Sequence, residues 1–245
     1  RLFADSQMND QERFNAQLKF ATHYSDLLGE AQQLYDKGGD SILQGLNLFD
    51  AERANIEHGQ KWSSEHSEQS DEAANVCNDY AWQGSILDLR LHPRNNIRWK
   101  ENGLAAARRI KNRQAEGAHL GNLGLAYAAL GETRKAIEYY EQGLVIDREI
   151  GDRRGEGNAL GNLGVAYAAL GETRKAIEYY EQQLKIVREI GDRRGEGNAL
   201  GNLGLAYADL GETRKAIEYY EQHAKIAREI GDRRGEGNAL GNLGL

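Results

Sequence analysis

Asparagines recur in this chain at a spacing that chemistry could use. Asn122, Asn162, Asn202 and Asn242 stand 40 residues apart, and Asn158, Asn198 and Asn238 precede the last three by one helical turn. A side-chain amide donates and accepts hydrogen bonds at once, so a row of amides can hold the backbone of an extended peptide without demanding a sequence. Residues four and seven apart share a helix face, which places Val165 and Ala169 on the strip of Asn158 and Asn162, with Asp209 at the matching place one period later. The plainer alternative is that each amide caps or bridges to a neighbouring helix. Arginines form a second ladder, with Arg153-Arg154, Arg193-Arg194 and Arg233-Arg234 following a weaker first rung at Arg113. Guanidinium groups so repeated suit a carboxylate-rich peptide or a phosphate. Asp152, Glu156 and their equivalents lie alongside, and they favour structural salt bridges over an anion site.

Other residues invite catalytic readings and do not sustain them. Gly157, Gly161 and Gly164 have the density of a phosphate loop, but no Gly-Lys-Ser/Thr follows and no strand pattern precedes them. His58 and His66 flank Trp62 without a zinc-ligand spacing, and Cys77 has no nucleophile motif around it and reads as a buried thiol. Glu138, Glu141, Glu178 and Glu181 sit among Lys and Arg as on a solvated helix face. No enzyme, cofactor or metal is expected.

The elements that must carry these residues follow from composition and period. The chain has 245 residues, 28% charged and 40% hydrophobic, with net charge −7 and one cysteine, and its mean hydropathy is −0.73. No run of about 18 apolar residues offers a membrane span, and Arg1 to Asp5 lacks the start of a secretory signal. One cysteine excludes a disulfide framework. The acidic balance argues against a phosphate-neutralising nucleic-acid binder. With 29 glycines against one proline, the composition points to helices whose glycines serve packing and termination. A soluble, cytoplasmic chain is expected, with no nucleic acid or membrane as partner.

The block Leu120-Gly121-Asn122-Leu123-Gly124 returns at Leu160, Leu200 and Leu240, and GETRKAIEYYEQ returns unchanged at Gly131, Gly171 and Gly211. Each period reads as two helices. Helix A is expected from about Arg153 to Leu170, with Leu160, Leu163, Gly164, Tyr167 and Leu170 on one apolar stripe. Gly171 would end it in a left-handed turn, and Thr173 would cap helix B, which runs from about Arg174 to Ile190. Ala176, Ile177, Tyr180, Leu184 and Val187 face inward there, while Arg174, Glu178, Glu181 and Lys185 face out. Gly191 ends helix B and Asp192 caps the next helix A. Short connections make neighbours antiparallel.

The order Leu163-Gly164, Tyr167, Gly171, Ala176, Tyr180 resembles the tetratricopeptide repeat, in which small residues let the two helices approach closely. It recurs at Leu123-Gly124, Tyr127, Gly131, Ala136, Tyr140 and at Leu203-Gly204, Tyr207, Gly211, Ala216, Tyr220. The usual small residue late in helix B is Gly143, Gln183 and His223 here, and the usual terminal proline is missing. A period of 40 rather than about 34 is similar to the repeats of Pins/LGN-type scaffolds and of bacterial signalling proteins. The resemblance covers residues 113–245 and implies that the asparagine face of helix A lines a concave groove.

Upstream, Asp10 to Lys37 reads as one long helix, Gly38-Gly39-Asp40 as a break, Leu43 to Trp62 as a helix or helix pair, and Ser63 to Asp71 as a polar linker. Asp71 to Leu89 and Ile97 to Ile110 read as a degenerate helix pair, with Pro93 in the loop between them. Arg13-Phe14, His23-Tyr24, the run Leu48 to Ile56 and Trp62 resemble the helical connector of STAND-type (NB-ARC-like) signalling ATPases. That resemblance implies a missing upstream ATPase, with Arg1 to Asp5 as the tail of its last domain. The chain stops midway through a fourth helix A, and we read it as a fragment.

The expected fold is all-α, a tetratricopeptide superhelical solenoid of antiparallel hairpins behind a helical connector. The expected organisation is a tail at 1–8, a connector at 9–70, a degenerate pair at 71–112, and three full repeats plus a partial fourth at 113–245. The expected function is non-catalytic binding of a protein or peptide in the groove, as the sensor arm of a bacterial STAND-type ATPase. Two alternatives stay open: an inducer sensor with a pocket lined by Tyr and Trp, and self-association through the uncapped half-unit at Gly241 to Leu245.

Overall fold

A computed structural model describes residues 8–244, and among these the chain forms twelve helices and no strand. The expected tail falls outside the described residues except for Met8, as does Leu245. The chain divides into two compact units, residues 1–119 and 120–245.

The first unit opens with α1 (Asp10–Asp36) and α2 (Ser41–His66), which pack along each other. Asn9 starts α1 with a capping box, its Oδ1 accepting from the Glu12 N–H at 2.9 Å while Glu12 Oε2 accepts from the Asn9 N–H. Gly38 and Gly39, both at positive φ, turn the chain into α2. Then come α3 (Asp71–Trp82), α4 (Ser85–Arg90), α5 (Pro93–Arg109) and the start of α6 (Arg113–Ala129). Leu28, Phe49, Ile56, Tyr80, Ile86 and Trp99 share a buried core, and the Tyr80 hydroxyl donates to the Ala21 carbonyl at 2.8 Å.

Three expectations here are corrected. The helix read from Asp71 to Leu89 is two helices, because Gln83 is extended and the Ile86 N–H donates to Gln32 Oε1 of α1 at 3.0 Å. Pro93 lies within the first turn of α5 rather than in a loop, where its fixed φ and missing N–H cost nothing. The polar stretch from Ser63 begins as helix, since α2 runs to His66 and Ser63 is fully buried with its hydroxyl donating to the Gln60 carbonyl.

The second unit holds the rest of α6, then α7 (Thr133–Ile150), α8 (Arg153–Ala169), α9 (Thr173–Glu189), α10 (Arg193–Asp209), α11 (Thr213–Glu229) and α12 (Arg233–Leu243). From α7 onward each helix packs against the next, as stacked hairpins do. The repeated stripe is buried as expected: Leu160, Leu163 and Tyr167 on α8, and Ala176, Ile177, Tyr180, Leu184 and Val187 on α9. Gly164 sets how near the two helices lie, for a Cβ there would be 2.3 Å from the Tyr180 ring. Gly171 takes φ +76, and the Glu172 N–H closes the turn onto the Tyr167 carbonyl at 2.9 Å. Two details differ. Leu170, placed on the inward stripe, lies past the end of α8 and is exposed. Thr173 is the first helical residue of α9, and Glu172 occupies the cap position without a side-chain bond.

Candidate functional site

Helix A of each hairpin is held in a fixed rotation, and that rotation decides what its outer face offers. Asp152, Asp192 and Asp232 start α8, α10 and α12, each accepting through Oδ1 from the N–H three residues on, at 2.8 to 2.9 Å. The leucines and tyrosine on the inner side leave the asparagine strip facing away from the core. Asn158, Asn198, Asn238 and Asn242 are exposed, and Asn122, Asn162 and Asn202 are half-buried. Val165 is 53% exposed, a large fraction for a branched apolar residue in a packed helix, and Ala169 and Asp209 are exposed beside it. Among the described residues none of the seven amides makes a side-chain hydrogen bond, so no cap or bridge to a neighbouring helix occupies them. The strip therefore presents free donors and acceptors next to an apolar band.

The arginine ladder splits in two. Arg153 pairs with Glu156 on its own helix and, at 3.2 Å, with Glu189 at the end of α9. Arg193 pairs with Glu196 and Glu229 in the same way. Glu156 and Glu196 also receive Arg148 and Arg188 of the preceding helix at 2.8 Å, and both carboxylates are nearly buried. Arg153 and Arg193 are thus bound to carboxylates that tie helix to helix, an arrangement in which their charge is already satisfied. Arg154 and Arg194 are exposed and form no ion pair among the described residues.

Three features went unread in the sequence. Tyr127 stacks on Tyr139, Tyr167 on Tyr179 and Tyr207 on Tyr219, with ring centroids 5.3 to 5.4 Å apart and planes within a few degrees of parallel. Lys135 and Lys175 lie over the outer face of the first two stacks at 3.9 and 3.8 Å, and Lys215 over the third at 4.7 Å. These sandwiches clamp the turn from helix A to helix B; the shared period of the tyrosines and lysines was the available signal. The hydroxyls of Tyr167 and Tyr207 reach back to Glu141 and Glu181 of the previous hairpin at 3.2 and 3.4 Å. The third feature is Asp147, 8% exposed on α7, where the later repeats carry Val187 and Ala227. Burial first, then the charges of Asp152 and Glu156, push its carboxyl up to about 6.

In the first unit, His66 stacks on Trp62 with centroids 4.6 Å apart and His58 meets the Phe20 ring edge-on. Cys77 is fully buried, and burial pushes its thiol up to about 12, far from a nucleophile at neutral pH. His119 is fully buried with Nε2 2.8 Å from Asn78 Oδ1, and burial and then the Lys100 charge push its pKa down to about 4. Among the described residues no helix is long and apolar enough to cross a membrane.

Comparison with known proteins agrees with this geometry. The tetratricopeptide repeat model matches residues 117–189 and 155–229. No curated relative matches the sequence. Solved structures share the fold at low identity. BtubC (BKLC) from P. vanneervenii superposes with TM-score 0.62 at 16% identity, over 88% of this chain and 92% of that one. The apo form of RapI gives 0.66 at 13%, over 93% and 70%. A STAND protein with a tetratricopeptide repeat sensor from Pyrococcus horikoshii gives 0.56 at 18%, over 93% of this chain and 36% of that one. This chain accordingly spans about a third of the STAND protein's length. With stacked hairpins of period 40, residues 117–229 carry tetratricopeptide repeats, a protein-interaction fold that is generally non-catalytic.

Proposed function

We propose that the outer face of helix A binds an extended peptide segment of a protein partner, without catalysis. The observation that carries this reading is the row of amides Asn122, Asn162, Asn202 and Asn242, with Asn158, Asn198 and Asn238 beside it, exposed or half-exposed and free of internal hydrogen bonds. A solvated amide with no structural duty costs little to desolvate against a peptide backbone that replaces each water bond. Val165 and Ala169 add apolar contact beside it, Asp209 adds a charge, and Arg154 and Arg194 are free to meet an anionic group. Within a longer protein, the module would act as the sensor arm of a cytoplasmic bacterial STAND-type ATPase. The likeness to a STAND protein whose repeats are named a sensor supports this. Isothermal titration with peptides tests the face: Asn162→Ala with Asn202→Ala should weaken binding about tenfold, from roughly 1 kcal/mol or less per amide, while circular dichroism holds. Unchanged affinity in the double variant rejects the assignment.

The alternative of a small-molecule sensor would call for a pocket lined by Tyr and Trp. A hollow of about 450 Å3 at the α8–α9 turn is bounded by Gly171 to Lys175 and Leu210, with neither Tyr nor Trp in its wall.

A further inference from the structure

The amide face is nearly the same in every hairpin, so the places where hairpins differ say what differs along the ligand. Helix A ends in Ala129, then Ala169, then Asp209. Asp209 is the last residue of α10, where the unpaired carbonyls of the helix end carry partial negative charge and disfavour a carboxylate. It is exposed, and no hydrogen bond or ion pair reaches it among the described residues. It follows Asn202 by seven residues and the half-exposed Leu205 by four, so it lies on the same strip as both. The corresponding strip of α8, made by Asn158, Asn162, Val165 and Ala169, holds no charge. A carboxylate that opposes its own helix dipole, replaces a better helix former and has no internal partner is placed for something outside the chain.

We infer that the bound peptide carries a cationic group that docks on Asp209, flanked by apolar side chains that lie on Val165 and Leu205. This rests on the peptide reading above. The net charge of −7 acts in the same direction, drawing a basic segment toward the protein. The cation is a lysine or arginine side chain or a free peptide α-amine, and the probes separate these.

Fluorescein-labelled, C-terminally amidated peptides of alternating Val and Ser test the inference. One set is N-acetylated with a single central Lys, Ser or Glu; another has no Lys and a free α-amine. Fluorescence anisotropy should show the Lys or the free-amine peptide binding about two- to fivefold tighter than the neutral one, the range expected of a solvent-exposed ion pair. Asp209→Ala and Asp209→Asn should both erase that preference, so that on each variant the Lys, free-amine and neutral peptides bind alike, and added salt should shrink it in wild type. Melting of Asp209→Ala should be unchanged or higher, since an unfavourable charge is removed. A preference surviving in both variants, a Glu peptide binding as well as the Lys peptide, or a lower melting temperature for Asp209→Ala overturns the inference. Neutral peptides that bind and respond to Asn162→Ala and Asn202→Ala without any preference for a cation sink this inference alone. Failure of every peptide to bind sinks the peptide reading with it.

Discussion

Replacing Asp147 by valine should stabilise the second unit above neutral pH, and the protein contains its own control. Val187 occupies the same place one hairpin later, buried against the start of α10, with a γ-carbon 2.9 Å from where a Cβ on Gly195 would be. Asp147 makes the same approach to Gly155, with Cγ 2.8 Å from the equivalent point, so valine fits a seat that the backbone already forms. An aspartate raised from 3.8 to about 6 is worth about 3 kcal/mol between its two protonation states at about 1.4 kcal/mol per pH unit. Water still reaches part of this carboxyl, and screening reduces the usable figure to about 1–2 kcal/mol. The folded state prefers the protonated form. Wild type therefore keeps its full stability below the unfolded value near 3.8 and loses some as pH rises through about 6. Urea unfolding followed by circular dichroism at about pH 4 and about pH 8 should show Asp147→Val gaining about 1–2 kcal/mol more at the higher pH. An equal gain at both pH values, or a variant weaker than wild type at about pH 8, refutes the burial argument.

Two more outcomes follow from the first unit. Lys111 takes φ +58 where the later repeats have Gly151, Gly191 and Gly231 at φ +70 to +72, so Lys111→Gly should raise stability by up to about 1 kcal/mol, read as a higher melting temperature. His119 is pushed down to about 4 by burial and the Lys100 charge, so its contribution is complete above the ordinary value of 6.5 and is lost as pH falls toward 4. An acid titration followed by the fluorescence of Trp82, which meets the His119 ring edge-on at 5.9 Å, should report a change over that interval that His119→Gln abolishes.

The array was legible because its signals are local and repeated. Gly171 and Gly191 mark helix ends, Asp152 and Asp192 mark starts, and the apolar spacing marks the inner face. What stayed hidden depends on contacts between residues far apart in sequence. The break after Trp82 is stabilised by Gln32, 54 residues upstream of Ile86, and a polar Ser63 is helical because neighbouring helices bury it. The amide strip could be drawn from period alone. That its amides have no internal partner, while Arg153 has Glu189 36 residues away, required coordinates. Asp147 escaped because a single carboxylate at a variable position looks like surface until the helix start at Gly155 is packed against it.

The joint between α7 and α8 is fastened by two polar links of different kind. Near the start of α8, Arg148 grips Glu156 at 2.8 Å, and toward its far end the Tyr167 hydroxyl meets Glu141 at 3.2 Å. The arginine link joins two full charges, but Glu156 is only 5% exposed, and salt screens such a pair far less than one on the surface. The hydroxyl link carries one charge at most and depends on salt still less. The step from one amide rung to the next is therefore a fixed ruler, and a peptide of matching repeat length meets the same spacing in dilute and in concentrated electrolyte.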